Sequence, residues 1–242
     1  MEIVKQAHRV GNMVSTAYVL VDDKTGVTII DTGPGHFGRK ILEYLKTIGR
    51  SPADVSRIIL THRHFDHIGG AAELRSATRA KVYAHPLDAP QITGAEPMQW
   101  PKGAIGAAMK VMGPILFPFA PCPVDEYLAD GMEIDLGSLG VLQTTLTPWH
   151  TIGHCSFYLP SRNMLIAGDA LNNASGTPSV PMDAVNDDTH MAHETVLVIA
   201  QKFSGAETLV FGHGAPIIGS GAQALQKSAA LSTAALQKTK SK

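Results

Sequence analysis

Residues 61–70 read T-H-R-H-F-D-H-I-G-G and set three imidazoles and a carboxylate, those of His62, His64, Asp66 and His67, within six consecutive positions. Neutral imidazole binds zinc, iron, nickel and copper, and a carboxylate among histidines keeps a site hard enough for oxygen ligands and substrates. One ion cannot use all four donors. In a tight loop His62 and His64 can face one way and Asp66 and His67 another, which implies two ions held side by side. Two ions need more ligands than this loop supplies.

The rest of the chain offers them in a repeated context. Residues 57–60 form an apolar, β-branched run that reads as a buried strand, and the histidine loop follows it directly. His150 follows the run 141–146 within T-P-W-H-T-I-G-H, Asp169 follows Gly168 after the run 164–167, and His213 lies between Gly212 and Gly214 after the run 208–211. Four strands thus end in His or Asp, and open sheets bind ligands at that edge. Asp31, after the run 27–30, reads either as a turn-capping carboxylate or as an acceptor that orients a ligating histidine. His85 has no acidic or histidine neighbour and reads as a structural, hydrogen-bonded residue. His8 and His36 carry weaker signals, and His190 and His193 read as part of a solvated helix face over 188–203.

These donors need elements to carry them, and 242 residues with 44% hydrophobic content provide one domain with a sizeable core, or one domain built of two similar halves. Residues 17–21 and 27–30 read as a hairpin, and Phe37, Ile41, Leu42, Leu45 and Ile48 share one face of a helix closed by Gly49. A strand is predicted at 81–84, a hairpin at 155–159 and 164–167, and a last helix at 222–236. Residues 97–121 differ, with five prolines and few charges. That frequency of Pro and Gly predicts an irregular insertion with a helical piece at 104–112 rather than one long helix. Its Trp100, Met109, Met112, Leu116, Phe117 and Phe119 would make an apolar flap on the core, a dimer contact, or a lid that walls the metal site.

The bulk properties narrow the class. A net charge of −1 and a pI near 6.8 lack the basic field of a nucleic-acid binder. Cys122 and Cys155 are too few for a disulfide framework. The N-terminal residues show no signal-peptide pattern, and no run could span a membrane uninterrupted by charge, Gly or Pro. The expectation is a cytoplasmic protein with a small-molecule substrate and no nucleic-acid or membrane partner, and the Met- and Phe-rich insertion is compatible with a homodimer.

Taken in order, T-H-R-H-F-D-H, His150 in T-P-W-H-T-I-G-H, Gly168-Asp169 and Gly212-His213 resemble the metallo-β-lactamase superfamily over nearly the whole chain, from Asp31 to His213. The resemblance implies an α/β (α+β) fold, an αββα sandwich of two mixed β-sheets flanked by helices, with a dinuclear site in the cleft between sheet ends. Carried over by position, it implies His62, His64 and His150 on a first ion, Asp66, His67 and His213 on a second, and Asp169 bridging both. His154 would then support the site from behind. The ions would be two divalent metals, zinc first, with iron or manganese as alternatives. Such ions, roughly 3.5–4 Å apart, share a water whose pKa falls toward about 7. The resulting hydroxide attacks a carbonyl whose oxygen one ion polarises. Asp66 would accept a proton or hold the second ion and the nucleophile.

Subtypes separate on single positions. Flavodiiron relatives usually carry Glu in place of His64 together with a flavodoxin domain, superfamily nucleases a large inserted domain, and some β-lactamases Cys in place of Asp169. Glyoxalase II ends in a helical domain with basic residues for glutathione, for which the tail 217–242 looks too short, and Asn172-Asn173 depart from its pattern. What remains is a compact hydrolase of a lactone, thioester or acyl ester, similar to lactonase-like and glyoxalase II-like members. The alternative from another reaction class is a mononuclear iron persulfide dioxygenase using the first-ion ligands and Asp169. Trp149 stands where the family often has Gly and would either narrow the pocket or pack outward.

Overall fold

Apolar, β-branched runs covered on both faces account for the central strands. In the computed structural model, which describes residues 1–12, 15–116 and 119–240, β3 (Thr16–Asp22) is buried at every position and β4 (Gly26–Ile30) at all but its glycine. Together with β1 (Glu2–Val4), β2 (Ala7–Gly11), β5 (Val55–Ile59), β6 (Lys81–Ala84) and β7 (Glu126–Tyr127) they form one sheet in chain order. Pairing is antiparallel from β1 to β4 and parallel from β4 to β7. A second sheet holds β8 (Glu133–Asp135), β9 (Val141–Leu146), β10 (Cys155–Leu159), β11 (Met164–Ile166) and β12 (Thr208–Val210) in the order β12-β11-β10-β9-β8. It is antiparallel except for the parallel β11–β12 pair.

Three apolar layers fix how the sheets stack. On the outer face of the first sheet, α1 (Phe37–Thr47) and α3 (Ala71–Thr78) set Ile41, Leu45 and Leu74 against Ile29, Ile58 and Val82. Between the sheets Leu20, Ile30 and Ile59 meet Phe157, Met164 and Val210. On the far side α6 (Thr189–Lys202) and α7 (Gly221–Lys240) bury Val196, Ile199, Phe203 and Leu225 against Leu165, Leu209 and Phe211. Each large side chain so buried contributes roughly 1.5–3 kcal/mol. The result is the αββα sandwich. Asp22, at the end of β3, ties the sheets together by accepting from the backbone N–H of Thr25 at 2.7 Å and from that of Ser138, ahead of β9, at 2.8 Å.

The insertion carries the expected helical piece as α5 (Gly103–Leu116), which extends the 104–112 run by one residue at its start and four at its end. Its glycines serve close approach rather than helix breaking: a Cβ on Gly113 would lie 2.2 Å from the Trp100 ring, and one on Gly106 would lie 1.4 Å from the Pro101 carbonyl oxygen. Phe119 packs on the first-sheet core instead of the site, and Phe117 lies outside the described residues. Two short helices, α2 (Phe65–Ile68) and α4 (Ala89–Ile92), follow β5 and β6. Among the described residues no helix is long and apolar enough to cross a membrane.

Candidate metal centre

All seven expected donors meet at one edge of the sandwich. His62 and His64 follow β5, His150 follows β9, Asp169 follows β11 and His213 follows β12, while Asp66 and His67 lie on α2. His64 sits at the N-cap position of α2 in an extended conformation, and its ring meets those of His62 and His150. That change of backbone conformation lets one six-residue stretch serve two clusters.

The first cluster is a tripod of imidazole nitrogens, with His62 Nε2 at 3.1 Å and His150 Nε2 at 2.9 Å from His64 Nδ1. The hydrogen bonds behind the rings set which nitrogen is free. His150 Nδ1 donates to Asn186 Oδ1 at 2.8 Å, because the Asn186 amide nitrogen donates to the Pro181 carbonyl and to Thr189. The Thr61 hydroxyl donates to Asp31 and therefore accepts from His62 Nδ1 at 2.9 Å. Both rings turn an unprotonated Nε2 inward. Nitrogen ligands around tetrahedral zinc, at about 2.0–2.1 Å each, stand roughly 3.3 Å apart, and the two separations from His64 are slightly shorter than that.

The second cluster joins Asp66, His67 and His213. Asp66 Oδ2 lies 3.2 Å from His213 Nε2 and 3.8 Å from His67 Nε2. His67 Nδ1 donates to Asp31 Oδ2 at 2.8 Å, which resolves Asp31 as the orienting acceptor. Asp169 spans the two clusters, with Oδ2 at 3.7 Å from His150 Nε2 and 3.0 Å from His213 Nε2. Its Oδ1 is buried and accepts no hydrogen bond among the described residues. That oxygen lies 3.5 Å from His67 Nε2; a buried carboxylate among converging imidazoles is what a cation site requires, and the donor set of nitrogens and carboxylates fits divalent metals.

The electrostatics without metal follow the same division. Burial, reinforced by the neighbouring imidazoles, holds His62 and His64 well below the ordinary histidine value. Burial also opposes charge on His67 and His213, but Asp169 with Asp31 and Asp66 outweighs it at His67, and Asp169 with Asp66 pushes His213 up to about 10. Metal binding at the second cluster therefore displaces protons. His154 is not a donor to either cluster. It accepts from the backbone N–H of Asp169 at 2.9 Å and shares a 2.8 Å hydrogen bond with the Thr147 hydroxyl, and burial holds it down to about 3.

Glycine is required ahead of two donors. A Cβ on Gly212 would come within 2.1 Å of Asp169 Oδ1 and 2.5 Å of His67 Cε1, and one on Gly168 within 2.5 Å of His154 Nε2. A buried network that sequence reasoning missed holds the loops together. Asp88 accepts from the backbone N–H of Arg63 at 3.0 Å, its guanidinium at 2.8 Å, the Thr151 hydroxyl at 2.6 Å and Gly153 N–H at 3.0 Å. Arg63 also donates to Asp187 at 2.6 Å, and Asp187 accepts from Ile152 N–H at 2.8 Å. The arginine between two candidate donor histidines was the available signal. His85 accepts from Leu87 N–H within its turn, and His193 bonds Ser232 of α7, both away from the clusters.

Above the donors opens a cavity of about 420 Å³ lined by His64, Asp66, His150, Asp169 and His213, with Gln99, Pro101 and Met109 contributed by the insertion. Of the six apolar side chains expected to form a lid, Met109 alone lines the cavity among the described residues. Trp149 does not line it. Its positive φ of 91° accounts for the glycine usual at such a turn.

The class follows from this fold and site. A family model for the metallo-beta-lactamase superfamily matches residues 10–213, and the chain belongs to that superfamily. It is 30% identical over 208 residues to the probable metallo-hydrolase YqgX of Bacillus subtilis (strain 168), across 85% of this chain and 87% of that protein. A hydroxyacylglutathione hydrolase of Cereibacter sphaeroides is 28% identical over 161 residues, but the match covers 64% of this chain and only 47% of that relative. Among solved structures, the metallo-beta-lactamase family protein TTHA1429 of Thermus thermophilus shares the fold at a TM-score of 0.75 and 21% identity, over 98% of this chain and 82% of that one. TTHA1623, solved in a di-iron-bound form, matches at a TM-score of 0.67 and 29% identity, over 90% and 96% of the two chains.

Proposed function

We propose that this protein is a dinuclear metallo-hydrolase acting on the carbonyl of a small ester-like substrate, a lactone, thioester or acyl ester. The observation that carries the reading is the pair of converging donor sets spanned by one carboxylate, Asp169. His62, His64 and His150 would hold the first ion, Asp66, His67 and His213 the second, and Asp169 both. When bound, two divalent ions, zinc in this reading, lower the pKa of a shared water and polarise a carbonyl oxygen. The residues of the chain do the rest. Thr61 and Asn186 fix the tautomers that keep the inward nitrogens of His62 and His150 unprotonated, and Asp31 orients the His67 ring through Nδ1. Asp66 lines the cavity, and its carboxylate would hold the second ion or accept a proton from the nucleophile. Gln99, Pro101 and Met109 cover the site and limit water access.

The completeness of the second donor set supports this reading over a mononuclear iron persulfide dioxygenase. The names of the YqgX and hydroxyacylglutathione hydrolase relatives point the same way. The test is elemental analysis of protein purified without added metal, paired with turnover of an ester, thioester and lactone panel before and after chelation. Two ions per chain with chelator-sensitive hydrolysis is the expected result. One iron per chain with oxygen uptake on a persulfide would overturn it.

A further inference from the structure

We infer that the part of the substrate away from the reacting carbonyl is uncharged and apolar, and that the cavity rejects acyl groups carrying a carboxylate; this rests on the hydrolase reading above. Beyond the metal donors, the walls of the cavity of about 420 Å³ are Phe65, Pro101, Met109, Pro181, Met182 and Val185. The polar additions are two neutral amides, Gln99 and Asn172. Among the described residues no lysine or arginine lines it.

Lys110, beside Met109, is exposed and borders a separate recess with Trp100 and Ala107, and three further cations are held elsewhere. Arg63 pairs with Asp88 and Asp187 beneath the floor. Lys102, next to Pro101, turns its ammonium to the Asp187 carbonyl at 3.3 Å. Arg9, beyond the His213 loop, donates to the Gly214 carbonyl at 3.0 Å. With its carbonyl at the donor end, where the ions and His213 stand, an acyl group would carry a far-end carboxylate out of water against a wall with no lysine or arginine among the described residues. An alkyl chain meets two methionines that adapt to it. Gln99 accepts from Arg63 at 2.7 Å through its oxygen, which leaves the amide N–H₂ to donate to a neutral carbonyl or hydroxyl on the substrate. The wall at Phe65 is firm, since Trp100 backs that ring with centroids 5.5 Å apart.

The test compares two aryl esters with one leaving group, a hexanoate and an adipate half-ester whose far end is a carboxylate, alongside binding of octanamide and its ω-carboxylate analogue followed by calorimetry on the metal-loaded protein. The neutral member should lead on the order of 100-fold in both kcat/KM and affinity. Met182 stands at the rim, 72% exposed, so Met182→Lys supplies a cation without disturbing the core, and it should narrow both ratios at least about tenfold. Equal affinity for the two amides, binding of neither, or ratios unmoved by Met182→Lys overturns the inference. If octanamide binds, its carboxylate analogue does not and neither ester is cleaved, the hydrolase reading fails while the assignment of the cavity stands.

Discussion

Removing the Asp88 carboxylate tests whether the loops of the first cluster are held from beneath. Asp88 is 1% exposed and accepts four hydrogen bonds, two from Arg63, which lies between His62 and His64, and two from Thr151 and Gly153, which follow His150. In Asp88→Ala the Arg63 guanidinium stays buried with Asp187 and Gln99 as its remaining side-chain partners, while its Nε already lacks a hydrogen bond among the described residues. Breaking one side of a buried pair costs about 3–5 kcal/mol. For a chain of this size that corresponds to a fall of roughly 6–20 °C in melting temperature. The loosened tripod should also lose about 10–100-fold in metal affinity, as when groups supporting metal ligands are removed. Thermal unfolding by circular dichroism and chelator competition measure the two effects. Glu126→Ala, which breaks the exposed Lys81–Glu126 pair, is the control and should leave both unchanged. An Asp88→Ala protein that melts with the control and keeps its metal would show that the histidines hold their positions without this network.

Two further outcomes follow from the geometry. Gly212→Ala drives a methyl group into Asp169 Oδ1 and the His67 ring, so metal content by elemental analysis should collapse while circular dichroism stays close to wild type; full metal occupancy would contradict the packing argument. Asp22, fed by Ser138 and the Thr25 and Lys24 N–H groups, has its carboxyl held well below the ordinary range, the Ser138 hydroxyl contributing most. Its folded pKa lies beneath the unfolded value of about 3.9, so its stabilisation is present above that pH and lost as pH falls toward the folded value. The urea midpoint of wild type should thus drop more steeply between about pH 5 and pH 3 than that of Asp22→Asn, and parallel curves would refute the linkage.

How much of this was legible in the chain depended on how far apart the partners lie. His62, His64, Asp66 and His67 announce themselves because four donors crowd one loop, and His150, Asp169 and His213 because each follows an apolar run. The central strands and outer helices were readable for the same local reason. Asp31 could be narrowed only to two roles, and the 2.8 Å bond to His67 decides between them. Asp88, Asp187 and Asn186 carried no such mark: their partners stand 25, 124 and 36 residues away, so no periodicity or spacing exposes them. The helix of the insertion was readable but drawn too short at its C-terminal end, since Gly113 counts as a helix breaker in a sequence but in the fold is where α5 approaches Trp100. The N-terminal hairpin went unseen because β1 has only three residues, too few to show alternation.

The convergence itself is a property of parallel pairing. Ile30 lies opposite Ile59 in β4–β5, and Ile166 opposite Val210 in β11–β12, so Asp31 and the histidine loop leave the first sheet at one edge, and Asp169 and His213 leave the second side by side. Antiparallel partners would send them to opposite edges. Where two such loops emerge together their backbones must nearly touch, and the Gly212 N–H donates to the Gly168 carbonyl at 3.0 Å. A side chain at either position would occupy the space of a donor or its support. The two glycines and the two donors they precede are therefore one device, in which the sheet sets the direction of each ligand and the missing Cβ sets how closely the ligands can meet.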